Sequence, residues 1–204
     1  SYFQVPAIKY ALNAGYKVLT SDNMKENPGH KLSHKSFNVS TLNKEKILKI
    51  AEKEKIDGIL SSGSDLSMLT CSYVANQLKL PCNSPKSVKR LVYKSNFRQF
   101  LKQNNIQQSD YNVFDRSNMG EIENFLKTKK SKYIIKPIDS NGSKGISIIY
   151  PSENFNSKVR KAYNASFRKK IIIEKYLHKQ SPQICGDGYF QNDKIVFIYF
   201  GDGY

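Results

Sequence analysis

Lys136, Asn141, Gly142, Ser143 and Gly145 lie close together in the stretch KYIIKPIDSNGSKGISIIY, residues 132 to 150. A lysine on the end of an apolar run is a fixed cation. Glycines allow close backbone approach without a Cβ clash, so the loop after Pro137 can turn several N–H groups toward one point. Such a pairing suits a phosphate chain. The same residues also describe a solvated hairpin turn with a lysine beside it, and Gly-rich matches alone discriminate poorly.

Two elements must hold that loop. Tyr133 to Lys136 and Ile146 to Tyr150 have strand character, and the Asp, Ser, Asn and Gly between them break both helix and strand, so a hairpin is predicted. Further along, IIIEKYL at 171 to 177 reads as another apolar strand, which brings Glu174 to its end. Upstream, LVYKSNFRQFL contains Lys94 at a break between two sets of helically spaced apolar residues.

In this order, Lys94, Lys136-Pro137, Gly-rich loop and Glu174-x-x-Leu177, the chain resembles the ATP-grasp family, which includes biotin carboxylase, carbamoyl phosphate synthase and D-alanine–D-alanine ligase. The match runs from about Pro85 to Tyr204, with a weaker one to the family's preceding substrate domain. The resemblance implies an α/β protein: a Rossmann-like, parallel-sheet pre-ATP-grasp domain over 1–84, its first strand missing, then a partial ATP-grasp domain with antiparallel sheets over 85–204. It implies ATP at Lys94, Lys136 and the 139–145 loop, with adenine read by the backbone of Lys175 and Leu177, Tyr176 beside it and Glu174 accepting from the exocyclic amine. Gln183 stands near where relatives place a ribose-binding glutamate. The reaction implied is that of a carboxylate–amine ligase working through an acyl phosphate, with a small carboxylate or bicarbonate-like substrate and an amine donor. Magnesium is implied as well, with its ligands expected beyond Tyr204, so the fragment itself is expected to be inactive.

The remaining chain places this core. FQVPAIKYALNA, residues 3 to 14, is an amphipathic helix stopped by Gly15, and YKVLT, residues 16 to 20, a buried strand. The polar loop after it carries Asp22 and the turn Asn27-Pro28-Gly29-His30. Loops at the carboxyl ends of parallel strands bind ligands in open α/β sheets, so Asp22 and His30 are candidate substrate contacts. The NPGH turn leans toward carbamoyl phosphate synthase-like members of the resembled family. A strand at 37–40, a helix from Asn43, a strand within 56–65 and a helix over 66–80 follow. Ser64 and Asp65 would occupy the substrate-side crest in this resemblance, although Ser64 equally fits a helix cap. After the linker PCNSP come a strand at 111–115, a helix capped by Asn118 with Glu121, a basic helix over 151–166, and two last strands joined at Asn192-Asp193.

Bulk properties narrow the alternatives. A hydrophobic content of 39% in 204 residues allows a sizeable core. No apolar run reaches membrane-spanning length, SYFQVPAIKY is not a secretory signal pattern, and Cys71, Cys82 and Cys185 lack metal-ligand or disulfide-framework spacing, so a cytoplasmic location with reduced thiols is expected. The net charge of +16 would attract polyanions, but the lysines are spread along the whole chain. Two other readings stay open: a non-catalytic nucleotide-binding or scaffolding module, which needs no metal ligands, and a basic nucleic-acid-binding protein.

Overall fold

The first helix stops where the glycine said it would. In the computed structural model, which describes residues 2–115, 119–192 and 194–203, a 3-10 turn at Tyr2–Gln4 leads into α1, Val5–Asn13. Gly15 takes φ +82°. Its N–H donates to Leu12 and that of Tyr16 to Ala11, both at 3.0 Å, the Schellman pattern that satisfies the last carbonyls of a helix.

Strand β1, Leu19–Asp22, pairs in parallel with β2, Lys35–Asn38, through the short helix α2, Pro28–Leu32. Both strands are displaced by about two residues from their predicted spans. Asp22 therefore ends a strand instead of opening a loop. Helix α3, Lys44–Glu54, is capped by the Asn43 side chain and ended by Lys55 in the left-handed region. Its buried Ile47 and Ala51 meet Val74 of α4, Asp65–Gln77.

The strand expected within residues 56–65 does not form. Ile56 and Ile59 pack on the Ile47–Ala51–Val74 cluster, and Leu60 is exposed. Apolar content drew that segment onto the core. A strand also requires a neighbour for its backbone groups, and among the described residues none lies alongside.

The second region is built on an antiparallel sheet. Helices α5, Pro85–Val92, and α6, Lys94–Gln103, are separated at Tyr93, whose extended backbone interrupts the helical path. Strand β3, Tyr111–Asp115, and helix α7, Met119–Lys127, follow. The predicted cap at Asn118 lies outside the described residues. Strands β4, Tyr133–Pro137, and β5, Ser147–Ile149, form the predicted hairpin. Helix α8, Asn156–Ala165, starts five residues later than expected, because Pro151 and Ser152 turn first and the Asn154 side chain takes the Asn156 N–H.

Strand β6, Lys170–Lys175, fills the middle of the sheet, in the order β3-β6-β4-β5. Its Ile171, Ile172 and Ile173 are fully buried. A strand covered on both faces reads as a continuous apolar run, which is how III appears in the sequence. Ile171 and Ile173 pack with Phe114, Ile122, Ile135, Val159, Ala162 and Tyr163, so α7 and α8 cover one face. The other face carries Lys136 and Glu174.

Strands β7, Gln183–Gln191, and β8, Lys194–Gly203, form a long hairpin, exposed along nearly all its length. Asn192 in its turn has φ +50°, and Asp193 lies outside the described residues.

Candidate functional site

The period of two along a strand sets the site. On β4 the residues Tyr133, Ile135 and Pro137 point into the core, so Ile134 and Lys136 face the opposite way. On β6 the same alternation sends Ile172 and Glu174 to that opposite face. The register pairs Ile134 with Glu174 and Lys136 with Ile172, making Lys136 and Glu174 diagonal neighbours. Lys136 Nζ donates to Glu174 Oε2 at 2.5 Å.

Helix α6 supplies the rest of that face. Arg98 Nε donates to the other Glu174 oxygen at 2.7 Å. One turn earlier, Lys94 Nζ donates to the carbonyl of Ser140 at 2.6 Å, and its N–H to the carbonyl of Ile138 at 3.0 Å. The two lysines thus come to opposite ends of one basic patch, and Arg98, absent from the predicted site, completes it. Its sequence signal was its place four residues after Lys94 on a helix.

Glu174 is 3% exposed. Burial raises its pKa, but Arg98 and Lys136 outweigh that and hold the carboxylate below the ordinary glutamate value. Its two oxygens serve protein cations here, a role the resemblance does not assign. Lys94 is held below the ordinary lysine value by burial first and then by Lys136, while Asp139, Glu174 and Asp65 pull the other way.

The Gly-rich loop hangs from a fixed post. Asp139, 2% exposed, accepts from Ser166 Oγ and from the Arg168 N–H, each at 2.7 Å. The Arg168 guanidinium also stacks over Tyr93, 4.8 Å from the ring centre, which ties the α5–α6 break to the loop base. Beyond this post Asn141, Gly142, Ser143 and Lys144 are exposed. Gly142 and Ser143 take φ +61° and +57°. The N–H groups of Asn141, Gly142 and Ser143 find no partner among the described residues. Gly145 closes the loop at φ +76°, where a Cβ would come within 2.6 Å of Ala165 Cβ.

Past Glu174 the chain leaves the sheet. The Lys175 N–H donates to Asp110 and the Tyr176 N–H to Lys132, both at 2.9 Å. The Leu177 N–H has no partner among the described residues, so of the three it is the donor left for a ligand. Gln183 begins the β7–β8 hairpin and is exposed; among the described residues no hydrogen bond joins it to the lysine patch.

In the first region, Asp22 accepts from the Met24 N–H at 2.8 Å and from Asn27 Nδ2 at 2.7 Å. Asn27 in turn caps α2 by accepting from the Gly29 N–H. The NPGH turn is therefore held by its own side chains. His30 Nδ1 lies 2.7 Å from Thr20 Oγ1, and its buried Nε2 has no partner among the described residues. Ser64 occupies the N-cap position of α4, yet its hydroxyl bonds Ser67 Oγ at 3.0 Å and caps no N–H.

No protein-family model matches the chain, and no curated protein does. Solved structures do. Over 99% of this chain and 52% of its own, the N5-carboxyaminoimidazole synthetase of Staphylococcus aureus, solved with ADP, superposes with a TM-score of 0.78 at 15% identity. This is the ATP-grasp fold. An L-amino acid ligase of Bacillus licheniformis shares it with a TM-score of 0.70 at 15% identity, over 97% of this chain and 48% of the other. So does the biotin carboxylase domain of Hydrogenobacter thermophilus 2-oxoglutarate carboxylase, solved with MgADP, ADP and bicarbonate, at a TM-score of 0.70 and 16% identity over 90% and 44%. The chain spans about half the length of these ATP-grasp structures. At such identities the likeness is one of fold.

Proposed function

We propose that this chain binds ATP through Lys94, Lys136 and the 140–145 loop, as the nucleotide-binding part of an ATP-dependent carboxylate–amine ligase. The observation that carries the reading is the meeting of Lys94, Lys136 and the Gly-rich loop on one sheet face, immediately before the Lys175–Leu177 segment. Cations and free N–H groups suit a triphosphate, while the Leu177 N–H next to the ring of Tyr176 suits the edge of a base.

In this reading residues 1–84 form a substrate domain and 85–204 the nucleotide domain. The lysines neutralise charge that develops as the γ-phosphate passes to a carboxylate, and the loop excludes water above it. Attack of an amine on the acyl phosphate then releases phosphate. A small carboxylate, bicarbonate included, is the acceptor. The carbamoyl phosphate synthase-like refinement rests on the NPGH turn and the Gly63-Ser64-Asp65 loop, and the Asp22–Asn27 bonds explain the first of these without a substrate. Among the described residues no three His, Cys, Asp or Glu side chains gather to hold a metal ion, so no step is derived through magnesium. Among the described residues no helix is long and apolar enough to cross a membrane.

Calorimetry with ATP on this chain and on Lys136→Ala tests the proposal. Saturable heat from the parent, weakened about tenfold or more in the variant, is expected from loss of one partly desolvated charge contact. Equal heats would remove Lys136 from the site. Because Lys94 is held below the ordinary lysine range, affinity should also decline with rising pH earlier than an exposed lysine would dictate.

A further inference from the structure

We propose that Arg98 is a positioning residue of the phosphate subsite: by holding one oxygen of Glu174 it leaves the Lys136 ammonium free to take a ligand phosphate. The inference rests on the nucleotide reading and extends it to a residue that the reading does not need.

Glu174 is a buried anion with both oxygens engaged, one by Arg98 and one by Lys136. Were Lys136 its sole counter-ion, that lysine and the carboxylate would form a closed neutral pair. A phosphate approaching it would then have to strip a buried carboxylate of its only partner, a costly exchange in a desolvated place. With Arg98 present, the trio carries a net positive charge, and Lys136 can turn to a ligand while Glu174 remains paired. Arg98 suits the task because its guanidinium is always charged and holds its donors in a fixed fork. Its placement is also fixed. It lies one turn after Lys94 on α6, and its own carbonyl accepts from Gln108 Nε2 at 3.0 Å.

A purely structural staple between α6 and β6 would use the same contact, so the test must separate charge from packing. The probe is inorganic tripolyphosphate, which reads the phosphate subsite without any base. Arg98→Gln should weaken its binding about tenfold or more, the effect of removing one unit charge at short range in a partly buried site. The double variant Arg98→Gln with Glu174→Gln removes both charges of that pair and should recover to within about threefold of the parent. Arg98→Lys, which keeps the charge, should fall between. Glu174→Gln alone, informative even if Arg98→Gln fails to fold, should tighten tripolyphosphate binding.

A double variant no better than Arg98→Gln, or a Glu174→Gln protein that binds tripolyphosphate no more tightly than the parent, would overturn the role of Arg98. ATP binding in the parent with tripolyphosphate binding unchanged across all variants would sink this inference and leave the nucleotide reading standing. Failure of the parent to bind either ligand would remove both.

Discussion

Two strands in this chain each carry a continuous apolar run and lie in opposite environments. β6, with its run of three isoleucines, lies between β3 and β4, buried on both faces. β8, with Ile195, Val196, Phe197, Ile198, Tyr199 and Phe200, has β7 as its only strand partner among the described residues, and each of these side chains is at least half exposed. Apolar content marks a strand in both cases. What differs is the cover: α7 and α8 lie over one face of β6, and the Lys94–Arg98 side of α6 over the other. The candidate patch sits on the covered strand, where burial gives each charge contact its weight and fixes its geometry. A lysine and a glutamate at the same diagonal spacing on β8 would be a solvated pair worth little.

The contrast is sharpest in the core. Ile173→Ala should cost about 2–5 kcal/mol, read as a lower urea midpoint with unchanged slope. Phe197→Ala in the hairpin should cost under about 0.5 kcal/mol by the same measurement, since its side chain leaves little apolar contact behind. An equal loss in the two variants would mean that the hairpin is as well covered as the central strand.

The post under the Gly-rich loop should come next in size. Asp139→Ala abandons the Ser166 hydroxyl and the Arg168 N–H, at about 1–3 kcal/mol in thermal or urea unfolding. Gly145→Ala should destabilise by about 1–3 kcal/mol as well, because alanine there meets Ala165 at a positive φ. Stability that does not change in either variant would show that the loop is not held from its ends.

Acid should distinguish the regions more gently. Glu174 has a folded-state pKa below its unfolded value, so its contribution is full above the ordinary glutamate range and is lost as pH falls through the lowered value. The parent should therefore lose stability faster than Glu174→Gln across that acid window, in urea titrations repeated at several pH values. Parallel pH profiles would remove the ion trio as a source of stability.

Much of this architecture was legible in residue order. Gly15 ended α1, Asn43 capped α3, Tyr93 separated two helices whose apolar positions already fell into two sets, and Lys136, Gly145 and Glu174 lay on or beside the predicted strands. The strand misread within 56–65 shows the limit, since its apolar residues found a core without finding a ladder. Arg98 escaped for a related reason. Among many basic residues its type says nothing, and its significance comes from a carboxylate that is 76 positions away in sequence.

By itself, then, the sequence marked most of the elements, several of their caps and the loop chemistry, because caps, turns and side-chain periodicity act over a few neighbouring residues. Only the tertiary structure decided which cation meets which carboxylate, which apolar strand is covered, and that Asp22 and Asn27 serve their own turn. Those outcomes depend on groups distant in the chain arriving at one place, where loss of water makes a contact strong or its absence costly.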